Sequence, residues 1–343
     1  MFLNLKKSLA MLAGVAAMTL TASVAHADGE VNIYSSRHYD TDERLYSDFT
    51  EATGIKVNRI EAGASELLER LKAEGANSPA DVVLTVDAGR LWAFQQEDLF
   101  QSINSTTLNE AIPANLRDED GNWYGISQRA RVIFYDKAAV SNPPQTYADL
   151  ADPQYKGMIC ARSSTNIYML SLLASQISHN GEEAAKTWAQ GLLDNLARDP
   201  QGGDTDQLRG IVSGECKIAV SNTYYFARAI RKDVKGLSGS TDSIGWVFPD
   251  QDANGTHVNI SGAAVAKNSK NKENAIKFIE YLTGEQAQSY FAAGNDEYPV
   301  IEGVALSSSV QQLGTFKADD LGLEELGKNQ AAAQKIYNEI GYK

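Results

Sequence analysis

Short apolar segments alternate with amphipathic segments of roughly 10–15 residues along most of this chain, beginning at Val31. This alternation constrains the fold most, because a helix of that length returns the chain to a neighbouring strand that runs in the same direction. The sequence therefore predicts an α/β fold of right-handed βαβ units with mainly parallel sheets.

The first predicted unit shows the pattern. Val31–Ser35 reads as a strand, a helix runs from Asp42 to Thr53 and ends at Gly54, and Lys56–Ile60 resumes as a strand. Further along we predict a helix over 66–73 capped by Ser65, then a buried strand over 81–86. A long strand over 123–135 is expected to cross between domains, and a βα series follows over 158–231. The remaining predicted elements are strands over 246–249 and 257–267, a helix over 271–291 broken near Gly284, and a closing helix over 321–342.

The first 27 residues read as a cleaved export signal. Lys6 and Lys7 precede an apolar run from Leu9 to Val24, and Ala25-His26-Ala27 forms a small-residue cleavage site. We therefore expect an exported protein whose mature chain begins at Asp28, and no later segment is apolar enough to span a membrane. The remaining length suffices for two domains of ordinary size.

The charge of the chain argues against one class of partner. Its formal net charge is −13, whereas nucleic-acid binding needs a basic face. We therefore expect no nucleic-acid partner. An acidic exported protein suits solubility and cationic ligands, although a solvated acidic surface is the simpler explanation of most of these carboxylates.

Cys160 and Cys216 are the only cysteines of the chain. Export places them in an oxidising compartment, and each lies in a predicted strand, so neighbouring strands in matching register would bring them within bonding reach. A disulfide is the preferred interpretation, and two buried free thiols are the alternative. Neither has a second thiol or histidine at zinc spacing.

Tyrosines stand at three predicted strand-to-helix junctions. Tyr224 and Tyr225 are adjacent at one, His38 and Tyr39 are adjacent at another, and Tyr168 stands at the third. In open α/β sheets, ligands bind beyond the carboxyl ends of the strands, so these side chains are placed to converge on one ligand. Any one of them alone would more often be a packing residue whose hydroxyl reaches water.

A family resemblance spans almost the whole mature chain. The chain resembles the periplasmic ferric-iron-binding proteins, also called bacterial transferrins, in Tyr34-Ser35-Ser36-Arg37-His38-Tyr39, in 152–157, in 163–168, in the Tyr224–Tyr225 pair and in Asn295-Asp296-Glu297-Tyr298-Pro299-Val300. The resemblance implies a two-lobed periplasmic binding protein of type II, with a hinge of crossing strands and a ligand cleft between lobes. The expected lobes are 28–128 with 247–296, and 129–246 with 297–343.

The resemblance also implies the ligands and partners. It places His38, Tyr39, Tyr168, Tyr224 and Tyr225 at the metal. Nearby, Arg129 or Arg131 would hold a synergistic anion such as carbonate or balance a phenolate, and the sequence does not choose between these roles. The expected protein is a periplasmic monomer and not an enzyme, and it delivers iron to the permease and ATPase of an ABC transporter.

Phenolate chemistry suits ferric iron. A phenolate is a hard anionic oxygen donor, and hard cations select such donors. Free tyrosine titrates near pKa ~10, so the metal itself must displace the proton, which a trivalent ion does better than a divalent one. Three phenolates would neutralise Fe(III), and a fourth would leave one negative charge for Arg129 to offset.

Two alternatives stay open at this stage. A binding protein of the same architecture would capture a small organic or inorganic anion, such as a polyol phosphate or a thiamine-like compound, with the tyrosines stacked on it. A secreted hydrolase is less favoured, because the sequence has none of the usual serine, zinc-protease or phosphate-loop motifs. Asp40 and Asp42 would be its acid–base pair, although at the head of a helix they are expected to cap it.

Overall fold

The computed structural model describes residues 29–37 and 39–343. The predicted signal peptide at 1–27 lies outside this part of the chain. Within the described residues, eight strands are present: β1 (Glu30–Ser35), β2 (Lys56–Glu61), β3 (Val82–Val86), β4 (Tyr124–Asp136), β5 (Ile159–Cys160), β6 (Ile218–Asn222), β7 (Ile244–Val247) and β8 (Val258–Val265).

The same residues contain thirteen α-helices: α1 (Glu43–Thr53), α2 (Ala64–Glu74), α3 (Ala88–Gln96), α4 (Thr106–Ala111), α5 (Ile167–Asn180), α6 (Glu182–Asp194), α7 (Asp204–Ser213), α8 (Thr223–Arg231), α9 (Lys272–Leu282), α10 (Glu285–Asn295), α11 (Ser308–Gln311), α12 (Glu324–Lys328) and α13 (Gln330–Ile340). Across the described ranges, none of these helices combines the length and the apolar character needed to cross a bilayer.

The strands follow one continuous path, in the order β2-β1-β3-β8-β4-β6-β5, with β7 also paired to β4. Strands β2, β1 and β3 are parallel, as are β5 and β6. Strand β8 is antiparallel to both β3 and β4, and β4 is antiparallel to β6 and β7. The sheet is therefore mixed, and the prediction of mainly parallel sheets is wrong.

Strand β4 joins the two halves of the sheet. Its first half, up to Ala130, pairs with β8, whereas Arg131 pairs with Asn222 at the start of the ladder with β6. Arg129 and Arg131 therefore lie at the point where β4 changes its pairing partner from β8 to β6. We call the β2-β1-β3-β8 half with its helices the first lobe and the β4-β6-β5 half with its helices the second lobe.

Each half of the sheet is covered by helices. In the first lobe, apolar side chains of β1, β3 and β8 form one core with α1, α2, α3 and α9. In the second lobe, side chains alternate across the sheet, as strand geometry requires. Ile133 and Ile218 face a core with α5, α6 and α13, whereas Phe134 and Ala219 face a core with α7 and α8.

Several predicted elements are confirmed. Helix α1 ends at Gly54, whose positive φ of 73° suits glycine in a helix cap, and the helix predicted over 271–291 is broken at Gly284.

Two predictions about helix ends are wrong. The helix cap assigned to Ser65 is wrong, because α2 begins earlier and Gly63 holds the capping position. The single closing helix is also wrong, because α12 ends at Lys328 and α13 begins at Gln330.

Candidate metal-binding site

Four tyrosines lie just beyond the carboxyl ends of strands. Tyr224 and Tyr225 are in the first turn of α8, directly after β6, and Tyr168 is in the first turn of α5, which follows β5. Tyr39 lies between β1 and the short 3-10 turn before α1. Because β5 and β6 are parallel neighbours, the helices that follow them begin at the same edge of the sheet.

The four phenols lie close together. The hydroxyl oxygens of Tyr168 and Tyr224 are 3.3 Å apart, and the ring centres of Tyr224 and Tyr225 are 4.2 Å apart. The guanidinium carbon of Arg228 is 5.6 Å from the ring centre of Tyr224 and 5.8 Å from that of Tyr39, so the first-lobe tyrosine reaches the second-lobe group. Of the five predicted ligands the structure brings together these four, while His38 lies outside the described residues.

Burial disfavours the phenolate form of Tyr39, Tyr224 and Tyr225, because it raises the pKa of each. Burial raises the pKa of Tyr224 well above its ordinary value, and Tyr168 and Tyr225 raise it further. The pKa of Tyr225 is also raised, first by burial and then by Tyr168. For Tyr39, burial and then the Glu297 carboxylate raise the pKa. A bound cation would therefore have to displace several protons.

Arg129 is a buried cation beside this group. Its side chain is 2% exposed, and its guanidinium carbon lies 5.8 Å from the ring centre of Tyr168. One nitrogen, Nη1, donates to Ser261 Oγ over 3.2 Å, whereas Nε and Nη2 have no hydrogen-bond partner among the described residues. The charge of Arg129 acts to lower the pKa of Tyr224 and of Tyr39. This donor set fits an anion or a phenolate.

Arg131 has a different environment, although it is equally buried. It forms an ion pair with Asp204, and its Nη1 also donates to Asn222 Oδ1 over 3.0 Å. Asp204 in turn accepts from Arg162 Nη1 over 2.8 Å. Arg131 is therefore already paired with a buried carboxylate, whereas Arg129 is not.

Sequence reasoning missed the charged groups behind Tyr39. Arg37 lies with its guanidinium carbon 4.8 Å from the Tyr39 ring centre. Its Nε donates to Asp42 over 2.8 Å, and its Nη2 donates to Glu297 over 3.2 Å. Both Arg37 and Glu297 belong to segments that carried the family resemblance, so the signal was present, but nothing in the sequence indicated that these distant segments meet.

Asp42 has a different role from the one predicted. It occupies the capping position of α1, yet its side chain makes no capping hydrogen bond. Its carboxylate instead accepts from Arg37 and, over 2.9 Å, from Asn295 Nδ2. The expectation that Asp42 caps the helix is therefore wrong, because a buried arginine competes for the same oxygens.

A disulfide joins Cys160 and Cys216, with the two Cα atoms 5.8 Å apart. Cys160 ends β5, and Cys216 lies two residues before β6. A Cβ at Gly210 would come within 2.7 Å of the Cys216 sulfur, so glycine lets α7 pack directly on the bond. The disulfide therefore ties together the strands that lead to Tyr168 and to the tyrosine pair.

Other residue types do not offer a metal site in the described part of the chain. There, no group of three or more histidine, cysteine, aspartate or glutamate side chains is arranged to hold a metal ion. The donors that the fold gathers are phenol oxygens, with Arg129 beside them. This donor set suits a hard, highly charged cation that can replace phenol protons.

Comparisons with known proteins identify the family. Residues 77–319 match the bacterial extracellular solute-binding proteins. Over 326 residues the chain is 48% identical to iron uptake protein A1 of Synechocystis sp., a match that covers 94% of this chain and 91% of that protein.

Solved structures agree with this assignment. The chain is similar to the Trichodesmium protein IdiA (FutA) in complex with iron and citrate ligands, with a TM-score of 0.89, 50% identity, and coverage of 92% of this chain and 100% of that chain. It is also similar to the ferric binding protein from Campylobacter jejuni, with a TM-score of 0.86, 43% identity, and coverage of 91% and 100%. The chain therefore belongs to the periplasmic ferric-iron-binding proteins and has their two-lobed type II fold.

Proposed function

We propose that this protein captures Fe(III) between its lobes through the phenolates of Tyr39, Tyr168, Tyr224 and Tyr225. The observation that carries the proposal is the convergence of these four side chains from three separate junctions, with two hydroxyls 3.3 Å apart. Relatives named for iron uptake and a similar structure described with iron and citrate support the same cargo. His38 is proposed as a fifth ligand from its position next to Tyr39.

Charge balance assigns a role to Arg129. Four phenolates around Fe(III) carry one net negative charge, and a nearby buried guanidinium offsets it. The two nitrogens of Arg129 without partners would bind a phenolate or a synergistic anion such as carbonate. Arg131 is a weaker candidate for either role, since Asp204 already pairs with it.

The ligands come from both lobes, which supports a closure mechanism. Tyr39 belongs to the proposed lobe of 28–128 with 247–296, and the other three tyrosines belong to 129–246 with 297–343. An ion held first by the three second-lobe phenols would draw Tyr39 onto it and close the cleft. The closed, iron-loaded form would then dock on the permease of an ABC transporter in the periplasm, and the protein itself would catalyse no reaction.

A direct experiment tests the cargo. The mature protein is incubated with ferric citrate, freed of excess iron and examined by metal analysis and visible absorption. We expect about one iron per chain and a red colour, because charge transfer from phenolate to Fe(III) absorbs visible light. A protein that stays colourless and free of iron would contradict the proposal.

One observation also supports a second candidate function, the binding of a small organic anion. The unpartnered nitrogens of buried Arg129 would also suit the phosphate or carboxylate of a small organic anion. In that case, calorimetry with metal-free anions such as citrate or a polyol phosphate should give heat at micromolar concentration. Binding of citrate only together with iron would instead favour the metal site.

A further inference from the structure

We propose that the segment Asn295–Tyr298 is a positioning element that fixes Tyr39 relative to Tyr224 and Tyr225, with Glu297 acting on Tyr39 and Asp296 acting on α8. The inference rests on the proposed function, because it concerns how the same tyrosines are held. The segment begins at the last residue of α10 and belongs to a motif that carries the family resemblance but contributes none of the proposed iron ligands.

Glu297 supports the first-lobe side of the site. Its side chain is buried and accepts from Arg37 Nη2 over 3.2 Å, and Arg37 lies against the ring of Tyr39. Its other carboxylate oxygen accepts from Ser261 Oγ over 3.5 Å, and Ser261 also accepts from Arg129. Glu297 thus contacts groups that lie against Tyr39 and beside Arg129.

Asp296 supports the helix that carries the tyrosine pair. It is fully buried, has a φ of 59°, and accepts from Arg231 over 2.8 Å and from Ser309 Oγ over 2.8 Å. Arg228, four residues after Tyr224, donates to the backbone oxygen of Asn295 over 3.2 Å. Because residues four and seven apart lie on one face of a helix, these contacts hold the face of α8 that begins with Tyr224.

The ends of the segment bind two further elements of the site. The side chain of Asn295 contacts Thr41 and donates to Asp42 over 2.9 Å, at the start of α1. The backbone of Tyr298 exchanges two hydrogen bonds of 2.8 Å with Gln128, the residue before Arg129 in β4. Four consecutive residues therefore join the Tyr39 segment, the tyrosine-pair helix and the crossing strand.

The energetics of buried charge explain why such a segment fixes geometry. A buried charge that loses its partner is costly, so each ion pair holds its two residues in one arrangement. Arg37 already has one nitrogen, Nη1, without a hydrogen-bond partner among the described residues. Loss of the Glu297 charge would leave Asp42, in the described part of the chain, as the one carboxylate bonded to Arg37, so the guanidinium would shift toward Asp42 and displace the Tyr39 ring that lies against it.

A double-mutant cycle tests the proposal. Iron affinity is measured by competition with citrate in the wild type, Glu297→Gln, Tyr39→Phe and the double variant. Loss of residues behind metal ligands typically costs about 10–100-fold in affinity, and we expect Glu297→Gln to cost at least about tenfold when Tyr39 is present. When Tyr39 is replaced, the same change should cost less than about threefold, because the group it positions has lost its oxygen.

Two further variants separate positioning from charge and from stability. Glu297→Asp keeps the charge but shortens the reach, so it should also weaken iron binding, whereas a purely electrostatic role predicts no change. Asp81→Asn removes another fully buried carboxylate, one bonded to Asn32 and Asn271 at the opposite end of β3, and should leave affinity unchanged. Asp81→Asn also calibrates the general cost of losing a buried carboxylate in thermal unfolding.

The possible outcomes are distinct. Equal losses from Glu297→Gln with and without Tyr39, or wild-type affinity in Glu297→Asp, would overturn the positioning role while leaving the iron-binding proposal intact. A wild type that binds no iron would overturn both.

Discussion

At the scale of single residues, substitutions in the tyrosine pair can separate the packing of the rings from the binding of iron by their oxygens. We predict that Tyr224→Phe or Tyr225→Phe folds normally, since the rings keep their packing, but loses iron affinity. Mutation of a residue that only holds a metal ligand in place typically lowers metal affinity about 10–100-fold. Loss of a ligand oxygen itself should therefore lower iron affinity roughly 100-fold or more. Citrate competition and the visible charge-transfer band measure the change.

A matched tyrosine provides the control for this prediction. Tyr124 is fully buried, and its hydroxyl donates to the Ile103 backbone oxygen over 3.0 Å, away from the four phenols. Tyr124→Phe should lower the free energy of unfolding by about 1 kcal/mol without a change in iron affinity. Unchanged affinity in both tyrosine-pair variants would count against phenolate ligation.

Burial of His257 leads to a prediction of how the free energy of unfolding depends on pH. Burial, followed by the charges of Arg131, Arg129 and His179, lowers its pKa to about 3. Between about pH 6.5 and pH 3, His257 is therefore protonated in the unfolded state but neutral in the folded state. Its contribution to the free energy of unfolding is complete above pH 6.5 and is lost progressively as the pH falls to 3. At pH 5 this loss amounts to roughly 2 kcal/mol.

The His257→Gln variant checks this sign. Urea unfolding of wild type and variant at pH 7.5 and pH 5 should show a smaller decline for the variant, because glutamine does not titrate. If the free energies of unfolding decline in parallel, His257 is not the group responsible.

The residues of the site could be predicted only in part. The tyrosines were recognisable because each follows a strand that the apolar pattern reveals, and ligand sites lie at such ends. The Arg37–Glu297 contact was not recognisable, since its members are 260 residues apart and pair only after folding. Asp42 does not cap its helix because Arg37, five residues earlier, binds its carboxylate, and the sequence did not show that this arginine would be buried there.

At the scale of elements, prediction succeeded where local signals are strong. A glycine ends α1 and another divides α9 from α10, and both signals are local. The break between α12 and α13 has no such signal, because composition alone favours one helix over 321–342. There, tertiary packing decides, since Leu323 and Leu326 enter the first-lobe core and Gly327 allows close approach to Trp92.

Helix α5 has a docking contact that positions Tyr168. Ser171, one turn after Tyr168, donates to both carboxylate oxygens of Asp87 over 2.8 and 2.9 Å. Asp87 directly follows β3 of the first lobe, so this bond joins the lobes near the site. We predict that Ser171→Ala lowers the free energy of unfolding by about 1–2 kcal/mol and weakens iron binding, measured by urea unfolding and citrate competition.

The same helix supplies the control. Ser175 is equally buried, but its hydroxyl donates to the Leu172 backbone oxygen within α5. Ser175→Ala should therefore leave iron affinity unchanged. Equal affinity losses in both variants would indicate a general effect on α5 rather than loss of the contact with Asp87.

At the scale of the whole molecule, the mixed sheet follows from the connection between lobes. A βαβ pattern predicts parallel strands within a lobe, as found for β1–β3 and for β5 with β6. It does not predict strands that pass between lobes. Strands β4 and β8 are antiparallel neighbours there, and their long-range pairing has no local sequence signal.

The division of iron donors between lobes leads to a prediction about shape. If Tyr39 completes a site begun by the second-lobe tyrosines, iron should draw the lobes together. Small-angle scattering of the mature protein should then give a smaller radius of gyration with Fe(III) than without it. A compact chain of this length has a radius of roughly 20 Å, and the iron-free form should exceed the loaded form.

Tyr39→Phe distinguishes closure by the metal from a general stiffening of the protein. In this variant the ion would still bind Tyr168, Tyr224 and Tyr225, so the charge-transfer band should persist while the decrease in radius shrinks. A ligand can shift a conformational equilibrium only by its differential affinity for the two states, and Tyr39 is the proposed source of that difference. Identical scattering curves for iron-free and iron-loaded wild type would contradict closure, and a full decrease in Tyr39→Phe would show that another contact closes the cleft.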